Sequence, residues 1–237
     1  SRHMKRRILL VGGSGGLGRA SARLLAQDGG DLIVSFHRNR ERAEELRHVA
    51  QIVQADITET GGRKQLLDRA GDLDSLVVFT GNPARVTSNG QAPEMLQVSH
   101  DVNYMGPILL AREAAGRMQR HQTAGAIVLF STMQGVSLFP NSTVYAGAKA
   151  ALIHAARILA KEMRGDNIRV NVIAPGVMAA GMAEASIASG KYDRYLHERA
   201  IARFGKPEDI ARAVQFLLAP DNYITGQVLS VDGGITL

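Results

Sequence analysis

Read as apolar and polar positions, the chain repeats one alternation almost from end to end. Short apolar runs at residues 8–11, 32–36, 52–55, 76–80, 126–131, 169–174 and 228–231 are rich in Val, Ile and Leu and nearly continuous. Such runs suit parallel strands covered on both faces, where neither side meets water. Between them, residues 17–27, 40–49, 96–119, 143–163 and 207–218 carry apolar side chains at helical spacing, and Pro207 stands where a first turn tolerates a missing N–H. The pattern predicts an α/β protein with a doubly wound, seven-stranded parallel sheet, right-handed crossovers and helices on both faces. Only the stretch 177–204 is too long for a plain connection, which makes it a candidate substrate lid.

Composition narrows this picture. At 237 residues and 45% hydrophobic content there is apolar material for one sizeable core. Its seven prolines are scattered and no linker, repeat or low-complexity stretch interrupts the pattern, so residues 4–237 are expected to form one domain. Ser1, Arg2 and His3, ahead of Met4, resemble an expression-tag remnant rather than a signal peptide. The absence of cysteine excludes disulfides, thiolate ligands and a cysteine nucleophile. The histidines, His100, His121, His154 and His197 among them, lack ligand-like spacing, so no metal is expected. No apolar run approaches the roughly 18 residues of a membrane span, so the expected address is the cytoplasm, without a membrane partner. The net charge of +6 comes from dispersed Lys and Arg, clustered only at Lys5-Arg6-Arg7 and around Arg38. That dispersion speaks against nucleic acid and for an anionic cofactor or an acidic carrier protein.

Candidate chemistry begins directly after the first run, where Gly12-Gly13-Ser14-Gly15-Gly16-Leu17-Gly18 opens into a helix. Bare backbone there lets a pyrophosphate approach the N–H groups of the helix N-terminus; a merely flexible turn is the competing reading. An Asp or Glu at the end of the second run would accept hydrogen bonds from the ribose of NAD and repel a 2′-phosphate. Ser35-Phe36-His37-Arg38-Asn39-Arg40 contains no acid, and a guanidinium fork suits a phosphate. NADP(H) is therefore expected ahead of NAD(H), unless Arg38 and Arg40 only decorate an exposed helix start.

Tyr145 and Lys149, four residues apart in Tyr-Ala-Gly-Ala-Lys, fall on one helix face. An ammonium beside a phenol favours the phenolate, so the expectation is a lowered Tyr145 pKa and proton exchange with a substrate oxygen nearer neutral pH. Taken alone, the pair arises readily by chance, and a surface tyrosine beside a solvated lysine is the safer reading. Thr132, thirteen residues earlier, places a hydroxyl just after the fifth run.

The spacing Gly-x-x-x-Gly-x-Gly at Gly12, Gly16 and Gly18, the Tyr145–Lys149 pair and the interval to Thr132 resemble the short-chain dehydrogenase/reductase family, nearest in pattern to bacterial 3-oxoacyl-[acyl-carrier-protein] reductases. Asn103 in Val-Asn-Tyr-Met-Gly-Pro, Asn-Val-Ile-Ala-Pro-Gly ending at Gly176, and the segments 203–211 and 223–234 extend the likeness over nearly the whole chain. The resemblance implies one NAD(P)-binding Rossmann-type domain that interconverts a small-molecule carbonyl and an alcohol. Tyr145 would be the general acid/base, Lys149 would hold the nicotinamide ribose and tune Tyr145, Thr132 would position the carbonyl, and Asn103 would support a proton-conducting water. Gly12, Ser14, Gly15, Gly16, Leu17, Gly18, His37, Arg38, Asp56, Ile57, Gly81, Pro175, Gly176 and Val177, with Tyr145 and Lys149, would contact the cofactor. For Asp56 that contact would be the adenine amino group; a helix N-cap is its other reading.

The chain also departs from the family pattern. Val11 stands where the family has threonine, and Thr132 replaces its serine, with Ser131 as a hydroxyl that could partly substitute. Val78-Phe79-Thr80-Gly81 replaces Asn-Asn-Ala-Gly, and Ala180 takes the place of a threonine. Met178, Met182, Ile187, Tyr192 and Tyr195 would give the lid an adaptable apolar lining, although core packing explains them too. The resemblance further implies a homotetramer, or a homodimer, built on the helices around 109–118 and 150–163 and the C-terminal strand. A nucleotide-binding sensor or structural protein with little turnover is the rival reading.

Overall fold

The computed structural model describes residues 5–81, 93–180, 184–194, 196 and 201–237. Seven strands form one parallel sheet: β1 (Arg7–Val11), β2 (Asp31–Phe36), β3 (Ala50–Gln54), β4 (Ser75–Val78), β5 (Gly125–Phe130), β6 (Ile168–Pro175) and β7 (Val228–Val231). Their order is β3-β2-β1-β4-β5-β6-β7. The chain winds outward from β1 through β2 to β3, then crosses back to β4 on the other side, opening a crevice at the C-terminal strand ends between β1 and β4.

Successive residues of each strand face opposite layers. Leu9, Val11, Ile33, Leu76, Val78, Ile127 and Leu129 pack against α3 (Thr60–Ala70), α5 (Gly106–Arg120) and α7 (Thr143–Glu162). Ile8, Leu10, Leu32, Val34, Val77 and Val128 pack against α1 (Gly16–Gln27) and the last helix, α9 (Pro207–Leu218). Each fully buried aliphatic side chain contributes about 1.5–3 kcal/mol.

Three elements differ from expectation. The helix predicted over 96–119 is divided into α4 (Pro93–His100), a π-helical turn (Asp101–Met105) and α5. The cause is Pro107, which brings no N–H to the carbonyl of Asn103. Helix α2 (Arg40–Glu44) ends before the predicted 49 and continues as turns. Helix α3 carries little helical signal, because Gly61-Gly62 reads as a breaker. Its place is set by close approach, since a Cβ on Gly62 would lie 2.0 Å from the Asp56 carbonyl oxygen. Arg63 then donates to the Ile57 carbonyl (3.0 Å) and to Glu113 of α5 (3.1 and 3.2 Å).

Two short helices also lie beyond the pattern: α6 (Met133–Val136) and, within the expected lid, α8 (Glu184–Ala188). The two ends of the lid stretch clasp each other, with Ala179 N–H donating to the Gly205 carbonyl (2.8 Å) and Gly205 N–H to that of Val177 (3.0 Å). Met182 and Tyr195 lie outside the described residues.

Candidate active site

The glycine turn sits at the C-terminal end of β1. Gly12 takes φ +73°, a conformation that costs other residues, and donates its N–H to the Ser35 carbonyl (3.0 Å). A Cβ on Gly18 would lie 2.4 Å from Gly13 Cα, so only glycine lets α1 start this close to the strand. Ser14 is buried, and Leu17 packs on the α1–α9 side of the core. Gly15 caps α1 without a side-chain hydrogen bond and the first turn holds no acid. The N-terminal amides keep their positive end for an anion. Thr80 packs on the turn, and its buried hydroxyl oxygen has no hydrogen-bond partner among the described residues. An uncapped helix start, a bare-backbone cradle and an orphaned hydroxyl fit a dinucleotide pyrophosphate.

His37, Arg38 and Asp56 gather at one end of this crevice. His37 Nε2 is 3.5 Å from Asp56 Oδ2. Asp56 Oδ1 accepts from the Thr58 N–H (3.0 Å) and hydroxyl (2.7 Å), forming a local turn, while Glu59 takes the N-cap of α3; the capping alternative for Asp56 therefore falls. Burial pushes the Asp56 carboxyl up, but the Thr58 hydrogen bonds with His37 and Arg38 outweigh it and hold the group below its ordinary value. Arg40 is engaged elsewhere, bonded to Gln54 (3.0 Å), 3.8 Å from Glu44 and stacked over Phe36. The Ile57 side chain is a core residue.

Tyr145 and Lys149 rise from α7. The phenol of Tyr145 lies against the Thr132 hydroxyl, which caps α6 by accepting from Gln134 N–H (3.4 Å). Burial, with a smaller push from Tyr192, outweighs the hydrogen bond to Thr132 and brings the Tyr145 pKa up to about 12. Lys149 is 2% exposed and donates to the carbonyls of Phe130 (2.8 Å) and Thr80 (3.2 Å), and burial lowers its pKa to about 7. The expected acidification of Tyr145 by Lys149 is thus corrected: the ammonium is directed at the strand ends, and desolvation dominates both groups. Ser131 is no free substitute for Thr132 either, since it donates to the Lys149 carbonyl (3.0 Å).

Gly81 brings the remaining groups together. A Cβ there would lie 3.2 Å from Lys149 Nζ and 3.4 Å from Asn103 Oδ1. Asn103 is buried in the π-helical turn and donates to Ser99 (3.0 Å). On the far side, Pro175 ends β6, and Gly176 N–H donates to the Val231 carbonyl (2.9 Å). Val177, Met133 and Tyr192 form a small apolar cluster with Phe139, Ile187, Phe204 and Ile235. Sequence reasoning missed Ser99, Thr80 as a polar group and the approach of Tyr192 to Tyr145. Each meets its partner through the fold, and no spacing announces it.

The comparisons agree with this arrangement. Residues 12–236 match the family model described as enoyl-(acyl carrier protein) reductase. The chain is 34% identical over 250 residues to carbonyl reductase family member 4 of Danio rerio, covering 99% of both chains. It is 30% identical over 244 residues to the 3-oxoacyl-[acyl-carrier-protein] reductase FabG of Thermotoga maritima, covering 97% of both. Among solved structures, a short-chain type dehydrogenase/reductase from Mycobacterium ulcerans superposes with a TM-score of 0.91 at 25% identity, covering 98% of this chain and 90% of that one. ElxO with NADP bound gives 0.89 at 27% identity, covering 98% and 99%. Sequence, sheet order and crevice thus converge: the chain belongs to the short-chain dehydrogenase/reductase family of oxidoreductases.

Proposed function

We propose that this protein is an NADP(H)-dependent carbonyl reductase acting on a ketone, with 3-oxoacyl thioesters as the first class to test, and that Tyr145 transfers the proton. The observation that carries the reading is the phenol of Tyr145 against the Thr132 hydroxyl, in the crevice that also holds the glycine turn and Gly81. Tyr145, with its pKa pushed up to about 12, is protonated in the resting protein and so stands ready as a general acid. Thr132 can donate to the same carbonyl oxygen and hold its lone pair toward the phenol. As the oxygen gains charge, Tyr145 gives up its proton to it, so no free alkoxide has to form, while Lys149, whose Nζ lies beside Gly81, would hold the cofactor ribose. Residues Gly12 to Gly18, Asp56, Gly81, Gly176 and Val177 would hold the cofactor, which supplies a hydride to the carbonyl carbon when bound. Arg38, whose guanidinium has no hydrogen bond among the described residues while Arg40 is committed, is the better fork for a 2′-phosphate. The NADP carried by ElxO supports the same choice.

The test is NADPH oxidation across 3-oxoacyl thioesters, simple ketones, quinones and enoyl thioesters, with Tyr145→Phe as control. Turnover lost in the variant supports the proposal. Cofactor binding without turnover on any substrate would replace it with a nucleotide-sensing protein. We also propose a homotetramer, with a dimer as the smaller alternative. Exposed Ile158 on α7, Leu229 on β7 and Phe216 on α9 are apolar surface of the kind subunits cover. Light scattering that returns a monomer at micromolar concentration would rule this out.

A further inference from the structure

Strand β2 ends at Phe36, so His37 and Arg38 leave the sheet beside the glycine turn, level with Asp56 at the end of β3. The backbone of this corner is pinned. Ala55 N–H donates to the Phe36 carbonyl (3.0 Å) and Gln54 Nε2 to that of His37 (2.9 Å), while Arg40 holds the Gln54 amide oxygen. The His37 side chain is 51% exposed, with Asp56 as its polar contact. Its neighbours carry charge on every side: Asp56 from the β3–α3 connection, Arg38 and Arg40 from its own loop and α2, and Arg69 of α3 across an open cavity of about 560 Å³.

Asp56 is a fixed anion, tied by Thr58. A phosphate arriving at Arg38 meets that carboxylate, with the His37 imidazole in contact range of it. A neutral imidazole offers the phosphate no charge. An imidazolium offsets Asp56 and attracts the dianion. A plain ribose hydroxyl in the same place is indifferent to the difference, because it can donate to Asp56 in either case.

Resting on the NADP(H) reading above, we propose that His37 is a specificity-determining residue that favours an adenosine 2′-phosphate in its protonated form, exchanging Asp56 for the phosphate on binding. Binding of NADPH then takes up a proton that binding of NADH does not, and the preference for NADPH declines as pH rises. No bond is made or broken; one proton moves from solvent to imidazole.

The experiment measures dissociation constants of NADPH and NADH from pH 6.5 to 8.5 at constant ionic strength, where the phosphate, with a second pKa of about 6, is mostly dianionic. Native protein is compared with His37→Gln by nucleotide fluorescence, and calorimetry in buffers of different ionisation heat counts protons at pH 7. The expected result is a preference for NADPH that falls roughly fivefold across the range in the native protein, stays flat in His37→Gln, and is matched by smaller proton uptake in the variant. Equal trends and equal proton uptake in both proteins would overturn the inference while leaving the nucleotide reading intact. Failure of either nucleotide to bind the native protein at any pH would overturn the nucleotide reading itself, and this inference with it.

Discussion

Replacing Lys149 by methionine is expected to make the protein more stable at neutral pH while removing a group the proposed chemistry needs. Burial takes the Lys149 pKa from lysine's ordinary 10.5 to about 7, which corresponds to about 5 kcal/mol of destabilisation when the ammonium is charged. Methionine removes that cost and fills similar volume. It also removes two hydrogen bonds, to the Phe130 and Thr80 carbonyls, at about 1–1.5 kcal/mol each. The net expectation near pH 7 is a gain of about 2 kcal/mol. The pH dependence is sharper than the gain. Between about 7 and 10.5 the unfolded chain binds the proton and the folded chain does not, so native stability rises with pH through this window. The advantage of Lys149→Met therefore shrinks by about 1.4 kcal/mol per pH unit and reverses before the window closes, when only the lost hydrogen bonds remain. Urea unfolding of both proteins at pH 6.5, 8 and 9.5 measures the difference directly, since other titrating groups cancel. A stability difference that stays constant across these pH values would refute the reasoning, because Lys149 would then keep its charge state throughout.

Three further outcomes follow from the same packing and hydrogen bonds. Arg63→Met should cost about 2–4 kcal/mol, seen as a fall in Tm of roughly 5–15 °C, because the Ile57 carbonyl and Glu113 both lose their partner; a fall within measurement error would show the ion pair to be idle. Thr132→Val should lower kcat by roughly 10- to 100-fold and shift the limb of the pH–rate profile assigned to Tyr145 upward, since the hydroxyl that eases ionisation is gone. An unmoved profile would remove Thr132 from the proton transfer. Gly18→Ala should abolish tight nucleotide binding and destabilise the fold, as its Cβ would meet Gly13 backbone at 2.4 Å; binding unchanged in a fluorescence titration would mean that the turn yields more readily than its packing implies.

The sheet was legible because parallel strands buried on both faces must be apolar at consecutive positions, and each of the seven runs overlaps an observed strand. Helix α3 was not, because its position depends on contacts far apart in sequence: Arg63 with Glu113, and Gly62 against the Asp56 carbonyl. Likewise the helical run 96–119 reads as one element, whereas Pro107 and the approach of Gly106 to Ile57 turn its middle into the π-helical segment that carries Asn103. Within the site, the glycine turn and the Tyr145–Lys149 spacing were readable from neighbours along the chain. The direction of the Lys149 ammonium was not.

Spacing along the chain by itself determined the fold class, because continuous apolar runs and helical repeats are local rules that burial enforces, and the motifs around Gly12 to Gly18 and Tyr145–Lys149 carried the resemblance to the family. Only the tertiary structure decided what those side chains do to one another. Lys149 turns to the Phe130 and Thr80 carbonyls, Tyr145 is governed by burial, Thr132 and Tyr192, and His37 faces Asp56. Charge and proton affinity depend on distance and on exclusion of water, and neither quantity exists until separate segments have packed together.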